Sequence, residues 1–280
     1  MVFRDPDRLL GTARAAAEAG ARTLMEYWRS LKPSQVDEKA KNDLVTDADR
    51  ASEAVILEVI RSAFPAHRYL AEESGRAESG DEGQPMWIID PLDGTTNFVH
   101  GLPHFAVSVA AAVGGRPVVG VVLDPIKNDV FTAVQGGGTR WNGAPCRVSQ
   151  RQGLAGALLT TGFPFRARHL LEPYLAIFHD VFLGSKAIRR PGAAALDLAY
   201  VAAGIFDGFF EFQLSPWDIA AGALLVIEAG GVVSDMEGGD AYLATGDVVC
   251  GTPGVHGEML EIVRRHHGAW QTDGAGSSIL

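Results

Sequence analysis

Apolar side chains near the start of the chain recur three and four positions apart, the spacing of an amphipathic helix. They are Leu10, Ala13, Ala17, Ala21, Leu24 and Trp28. Asp5-Pro6 supplies a capping side chain and a proline at the first helical position, and Pro33 ends the pattern. This segment is therefore predicted to be a helix that buries one face.

A second helix and a set of strands follow. The helix is predicted from Thr46 to Pro65, with Asp49 as the acidic partner of a Thr46 cap. Five short apolar runs predict strands: Tyr69–Ala71, Met86–Ile89, Phe105–Val113, Pro117–Leu123 and Val130–Val134. Glycine- and asparagine-containing turn signals separate the last three, which indicates an antiparallel meander.

After Ser149 strand and helix patterns alternate. The predicted elements are Leu158–Thr161, a helix around His169–Phe182, Ala187–Arg189, a helix from Gly192, Phe209–Phe212, a helix from Pro216, Val232–Ser234, Val248–Cys250 and a helix from Val255. We therefore expect an α+β half with an antiparallel sheet over 1–150 and an α/β half over 151–270, in a layered arrangement. The small, polar segment 271–280 is predicted to be a disordered tail.

Composition narrows the class of protein. The 280 residues are 47% hydrophobic, enough for a large core, and 24 Lys and Arg against 34 Asp and Glu give a net charge of −10. An acidic surface argues against general binding to nucleic acid or anionic membranes. Two cysteines without a C-x-x-C motif favour free thiols over a disulfide or a thiolate metal site. Without a signal peptide or an apolar run of spanning length, we expect a soluble, cytoplasmic protein.

Several phosphate and hydrolase motifs are missing. The chain has no G-x-x-x-x-G-K-[ST], G-x-G-x-x-G, H-E-x-x-H or G-x-S-x-G sequence. His100 and His104 are four residues apart, but glycine and proline between them argue against a helical pair of metal ligands. We interpret both histidines as ordinary loop residues.

The sequence WIIDPLDGTTN at 87–97 places two acids after a buried strand. Asp90 ends the predicted strand, Pro91 leaves the ladder, Asp93 follows a turn, and Gly94 can adopt a positive φ before Thr95 caps a short helix. Carboxylates and the Leu92 carbonyl suit Mg²⁺, and the adjacent amides suit a phosphate. A plain turn with Asx caps explains the same letters, whereas an EF-hand and an aspartyl-phosphate D-x-D motif do not match.

Two further acidic segments lie at the ends of predicted elements. Glu72-Glu73 follows a short strand, and Asp218 stands in the first turn of an apolar helix. Solvated acids and a favourable helix dipole explain them separately. Together with Asp90 and Asp93 they form a set of carboxylates at element ends, where sites are built on α/β scaffolds.

Four ordered blocks then resemble one family. Asp43–Asp49, Glu72-Glu73, Asp90–Gly101 and Trp217–Gly222 are similar to the inositol monophosphatase family, in its bacterial branch, over about Leu9 to His267. The resemblance implies a layered αβαβα sandwich, usually a homodimer. It also implies a Mg²⁺-dependent, Li⁺-sensitive phosphatase that acts on a small phosphate ester.

The resemblance assigns roles to residues of this chain. It implies two to three Mg²⁺ ions, with metal ligands at Glu72, Asp90, the Leu92 carbonyl, Asp93 and Asp218. It implies that Glu72, Thr95 and Asp49 are catalytic, with Asp49 orienting the Thr95 hydroxyl that aligns an attacking water. Implied substrate contacts are Leu92, Asp93, Gly94, Thr95, Arg189, Gly192, Ala193, Glu211 and Asp218.

The chain departs from the family at two substrate-facing positions. Ala193 stands where a hydroxyl residue is frequent, and Ser215 replaces a histidine of animal members. The expected reaction is hydrolysis of myo-inositol 1-phosphate and related polyol monophosphates. Two alternatives stay open: a sibling enzyme such as a histidinol-phosphate phosphatase, and an interaction protein with a vestigial site. Glu211 also fits a solvated strand edge, and Arg189-Arg190 a subunit interface.

Overall fold

The computed structural model describes residues 5–40, 43–76, 84–165 and 167–267. The predicted disordered tail, 271–280, lies outside them. The helices are α1 (Pro6–Tyr27), α2 (Asp47–Ala63), α3 (Thr95–Val99), α4 (Leu171–Gly184), α5 (Ala194–Ala202), α6 (Pro216–Glu228), α7 (Tyr242–Thr245) and α8 (Pro253–His267). The strands are β1 (Val36–Ala40), β2 (Asp43–Thr46), β3 (Arg68–Ala71), β4 (Gly75–Arg76), β5 (Met86–Asp93), β6 (Ala106–Val113), β7 (Arg116–Asp124), β8 (Asp129–Val134), β9 (Gly138–Trp141), β10 (Ala144–Cys146), β11 (Leu158–Thr161), β12 (Ala187–Arg189), β13 (Gly208–Glu211), β14 (Val232–Ser234) and β15 (Val248–Gly251).

The layers stack as helix, sheet, helix, sheet, helix. α1 and α2 cover one face of the first sheet over a core that includes Leu24 and Trp87. α5 and α6 lie between the two sheets, with Leu198 in the core they share. α4 and α8 cover the outer face of the second sheet around Tyr174 and Met259. The predicted layered α/β architecture is confirmed.

The first sheet has eight strands in the order β10-β9-β8-β7-β6-β5-β3-β4. From β5 to β10 each strand pairs antiparallel with the next, which confirms the predicted meander. β3 pairs with β5 in parallel, so their carboxyl ends meet at one edge. This edge carries Glu72 and Asp90.

The second sheet has five strands in the order β12-β11-β13-β15-β14. β11 pairs in parallel with β12 and β13, and β15 pairs antiparallel with β13 and β14. Along β13 the side chains alternate: Phe209 faces the middle helix layer and Phe210 faces the outer one. The strands of the first sheet end at Cys146 and those of the second begin at Leu158; the division of the chain near residue 150 stays a prediction.

The capping prediction for α2 is confirmed, because Thr46 and Asp49 form a reciprocal capping box. The hairpin of β1 and β2 was not predicted, since the strand VDEKA at 36–40 has no apolar alternation. β9 and β10 were also missed, because they are short. None of the helices described is long and apolar enough to cross a membrane.

Candidate metal centre and active site

A bulge in β5 delivers two acids to the site. The predicted end of this strand, at Ile89 with Asp90 directly after it, is wrong, because β5 continues to Asp93. Its register against β6 shifts between Asp90, opposite Ser108, and Asp93. Pro91 sits in this irregular stretch, where a residue without an N–H is tolerated. The Leu92 N–H donates to Asp90 Oδ1 at 2.9 Å, which holds the bulge closed. The shift sets the spacing between the two carboxylates.

The chain then turns sharply into α3. Gly94 has φ +92°, as its position predicted, and a Cβ there would lie 3.1 Å from the His104 carbonyl oxygen. Gly94, not Thr95, is the N-cap of α3, so the predicted capping role of Thr95 is wrong. The Thr95 hydroxyl lies 3.0 Å from Asp49 Oδ1 and 3.1 Å from the Leu92 carbonyl oxygen. Asp49 thus contacts Thr95 directly.

Three carboxylates converge from the two halves of the chain. Asp90, Asp93 and Asp218 each place an oxygen within 4.8 Å of the others. Asp218 comes from the first turn of α6, where its carboxylate also accepts a hydrogen bond from the Ser215 N–H at 2.8 Å. Glu72, which follows β3, lines the same cavity and acts electrostatically on Asp90. Four of the carboxylates singled out in the sequence therefore line one cavity, whereas Glu73 is not among its lining residues.

The cluster is electrostatically unfavourable without a cation. Burial, together with the charges of Glu72, Asp93 and Asp218, raises the pKa of Asp90 well above its ordinary value. Burial and Asp218 raise the pKa of Asp93 to about 7, although backbone amides of α5 oppose this rise. The donor set consists of carboxylates and a backbone carbonyl, the oxygen ligands that Mg²⁺ prefers. These residues fit a divalent cation.

The second half of the chain also holds Asp93 in place. Its carboxylate accepts the Ala194 N–H at 3.2 Å and the Ala195 N–H at 2.8 Å, at the start of α5. Ala193, at the N-cap position of α5, offers no capping side chain. Asp93 therefore performs the capping role from another part of the chain, and α5 fixes its orientation.

Asn97, in α3, also connects the first half of the chain to the segment that precedes α5. Its side-chain amide nitrogen donates toward the carbonyl oxygens of His104, Pro191 and Gly192, at 2.8, 3.0 and 3.2 Å. His104 is largely buried, which lowers its pKa to about 4. Neither His104 nor His100 belongs to the group formed by Asp90, Asp93 and Asp218, and their interpretation as loop residues stays a prediction.

A cavity of about 400 Å³ opens over the acidic cluster. Nine of the predicted site residues line this cavity: Glu72, Asp90, Leu92, Asp93, Gly94, Thr95, Gly192, Glu211 and Asp218. Ala193 is buried and Ala194 lines the cavity instead. Arg189 is exposed on β12 and its neighbour Arg190 lines the cavity. The substrate contacts predicted for Arg189, for Ala193 and for the lining residues all stay predictions.

One aromatic and basic group of lining residues was not anticipated from the sequence. Phe163, Phe165 and Arg168 line the cavity together with Arg190, whose guanidinium carbon lies 5.1 Å from the centre of the Phe165 ring. The adjacent Arg189-Arg190 pair was the one signal in the sequence, and it did not indicate that Arg190, just after β12, lines the cavity. Aromatic and cationic side chains thus line the same cavity as the acidic cluster.

Comparison with known proteins gives one consistent family. The model of the inositol monophosphatase family matches residues 5–268. The protein named "Nus factor SuhB" of Escherichia coli (strain K12) is 47% identical over 256 residues, which cover 91% of this chain and 96% of that protein. The Nus factor SuhB of Pseudomonas aeruginosa is 47% identical over 261 residues, or 92% of this chain and 96% of that one.

Solved structures agree. The extragenic suppressor protein suhB of Bartonella henselae superposes with a TM-score of 0.88 at 39% identity, covering 92% of this chain and 98% of that one. Inositol monophosphatase from Anabaena (Nostoc) sp. PCC 7120 gives a TM-score of 0.82 at 38% identity, covering 92% and 95%.

Proposed function

Because the chain belongs to the inositol monophosphatase family, we propose that it hydrolyses myo-inositol 1-phosphate and related small polyol monophosphates in a Mg²⁺-dependent reaction. The observation that supports this proposal most is the convergence of Asp90, Asp93 and Asp218 in the lining of a cavity that Glu72 also lines. Buried carboxylates this close together are costly unless a cation compensates them.

The proposed ligands follow the family resemblance. Glu72, Asp90 and the Leu92 carbonyl would hold one Mg²⁺, and Asp90, Asp93 and Asp218 another, within a set of two to three ions. When bound, Mg²⁺ neutralises the carboxylates and the phosphate charge and lowers the pKa of water. Asp90 is shared, so we propose that it is the least replaceable ligand.

Thr95 and Asp49 are proposed to orient the attacking water. Asp49 is fully buried, and its Oδ2 accepts the Thr46 hydroxyl at 2.6 Å while its Oδ1 faces the Thr95 hydroxyl. When the Thr95 hydroxyl donates its hydrogen bond to Asp49, the lone pairs of the Thr95 oxygen remain free to accept a hydrogen bond from the attacking water. The pair therefore orients that water. The amides of Gly94 and Thr95 are proposed to bind the phosphate.

Glu211 is proposed to select the alcohol portion of the substrate. It lies at the end of β13 and lines the cavity, as Arg190 does. A carboxylate there can accept hydrogen bonds from ring hydroxyl groups, which are charge-assisted and therefore discriminating.

A panel of phosphate esters tests the proposal. Purified protein is assayed for phosphate release from myo-inositol 1-phosphate, histidinol phosphate and p-nitrophenyl phosphate, with Mg²⁺ and with EDTA. We expect the inositol ester to be preferred and EDTA to abolish turnover. A preference for histidinol phosphate would instead identify the sibling activity.

The resemblance also supports two proposals about the protein's state. We propose that it forms a homodimer and acts in the cytoplasm. Sedimentation equilibrium and fractionation of the source cells measure these properties. A monomer, or recovery with the membrane fraction, would contradict them.

A Nus-factor role is the second candidate, because the relatives from Escherichia coli and Pseudomonas aeruginosa carry that name at 47% identity. The test is replacement of either relative's gene by this chain, in wild-type form and as Asp90→Asn. If the chain serves as a Nus factor independently of hydrolysis, both forms restore the Nus-factor activity of a strain that lacks the relative. Failure of both forms would argue against this role.

A further inference from the structure

Helix α2 presents three buried polar side chains on one face. Asp49, Ser52 and Glu53 are spaced so that they share that face, and none is more than 4% exposed. Asp49 contacts Thr95, and the Ser52 hydroxyl donates to the Pro91 carbonyl oxygen at 2.9 Å. Each of these contacts ends on a different segment of the proposed site, which suggests that α2 aligns those segments.

Glu53 makes the third contact. Its Oε2 accepts the Glu73 N–H at 2.8 Å and its Oε1 accepts the Ser74 N–H at 2.9 Å. Both oxygens of Glu53 therefore accept hydrogen bonds from consecutive amides of the turn at 72–74, which carries Glu72. A carboxylate at 4% exposure is costly to bury, and these two charge-assisted hydrogen bonds offset that cost.

The turn is held from its other side as well. The Glu72 N–H donates to the Ile89 carbonyl oxygen at 3.2 Å, which ties it to β5 just before Asp90. Glu72 is thus fixed on both sides. Its own N–H is bonded to the sheet, and the N–H groups of the next two residues, Glu73 and Ser74, are bonded to Glu53. Metal ligands must be held to about 0.5 Å, and such supporting contacts set their affinity.

We propose that Glu53 is a positioning residue that fixes the turn carrying Glu72 and thereby sets the affinity of the site for a divalent cation. The inference rests on the proposed function only through the assignment of Glu72 as a ligand. Glu53 acts on the ion through Glu72 and not by contact with substrate.

The test is direct titration of the protein with Mn²⁺, a paramagnetic substitute for Mg²⁺. The concentration of unbound Mn²⁺ is measured by electron paramagnetic resonance. Glu53→Gln keeps the size but places an NH₂ group against one of the two N–H donors. We expect it to raise the Kd of one Mn²⁺ site about 10-fold, in the range found for supporting residues of metal sites. Glu72→Gln is expected to weaken the same site.

Glu58→Gln is the matched control, because Glu58 is exposed on the same helix. We expect it to bind Mn²⁺ as the wild type does. Glu53→Asp keeps the charge but shortens the reach, so it serves as a second variant if Glu53→Gln does not fold, and it should also weaken one site. A lower Tm with unchanged Mn²⁺ affinity would show that Glu53 is merely structural and would overturn the inference.

The outcomes separate the two proposals. If the wild type binds Mn²⁺ and the folded Glu53 variants match it within twofold, only the inference about Glu53 fails. If the wild type binds no Mn²⁺, the proposed function fails together with it. Selective weakening of one site in the Glu53 variants supports both.

Discussion

Replacing Asp93 by asparagine is predicted to stabilise the metal-free protein while removing its response to Mg²⁺. In the folded protein, burial and Asp218 raise the pKa of Asp93 from 3.8 to about 7. This corresponds to about 4 kcal/mol, since one pKa unit equals about 1.36 kcal/mol. Asparagine removes that cost but keeps only one acceptor for the amides of Ala194 and Ala195, which loses about 2 kcal/mol. The net gain is about 2 kcal/mol.

The gain depends on pH with a definite sign. Above pH 7 Asp93 is ionised in both the folded and the unfolded wild type, so the whole cost is present. As the pH falls through 7, the folded protein takes up a proton before the unfolded chain does, and the cost decreases. We therefore expect Asp93→Asn to be more stable than the wild type at pH 8 and about equal to it at pH 5.

The assay is thermal unfolding in EDTA at the two pH values, followed by titration with Mg²⁺. A gain of about 2 kcal/mol corresponds to a rise in Tm of about 4–8 °C for a chain of this size. Mg²⁺ at about 100 times its Kd should stabilise the wild type by about 2.7 kcal/mol and the variant far less. Asp240→Asn, whose side chain is 81% exposed, is the control and should change neither property. A variant less stable than the wild type at pH 8 in EDTA, or a difference independent of pH, would refute the reasoning.

Three other changes test separate parts of the account. Asp90→Asn removes the shared ligand, so phosphate release should fall about 10³-fold at saturating Mg²⁺ while the fold persists; retention of a tenth of the wild-type rate would contradict its role. Glu211→Gln should lower kcat/KM about 10–150-fold for myo-inositol 1-phosphate, since a charge-assisted hydrogen bond contributes about 1.5–3 kcal/mol, but only about 3-fold for p-nitrophenyl phosphate; equal losses on both esters would show that Glu211 acts on the metal or the fold. Gly120→Ala places a Cβ 2.9 Å from the Ala221 carbonyl oxygen, between β7 and α6, so urea unfolding should show a loss of about 1–3 kcal/mol; unchanged stability would contradict this packing of α6.

Elements with strong local signals could be predicted from the sequence. α1 carries a capping side chain and a proline at its start, and α2 carries a capping box. The meander is marked by glycine turns, and Glu72, Asp90 and Asp218 stand at the ends of predicted elements. Such features depend on neighbours in the chain, so periodicity and turn chemistry reveal them.

Features that depend on tertiary contacts escaped prediction. Proline at position 91 suggested the end of a strand, but pairing with β6 resumes at Asp93 because the sheet accommodates a bulge. Asp93 caps α5, a helix whose start lies about 100 residues away, and no local signal marks that pairing. Glu53 looks like one more polar position on a helix until the turn after Glu72 is placed beside it.

The central claim is that the acidic cluster supports Mg²⁺-dependent hydrolysis of a polyol monophosphate. The most direct measurement is the rate of phosphate release from myo-inositol 1-phosphate by the purified wild-type protein, with Mg²⁺ and after its removal by EDTA. We expect turnover with Mg²⁺, loss of turnover in EDTA, and full recovery when Mg²⁺ is restored. A rate that is at background in both conditions, or that EDTA leaves unchanged, would contradict the claim.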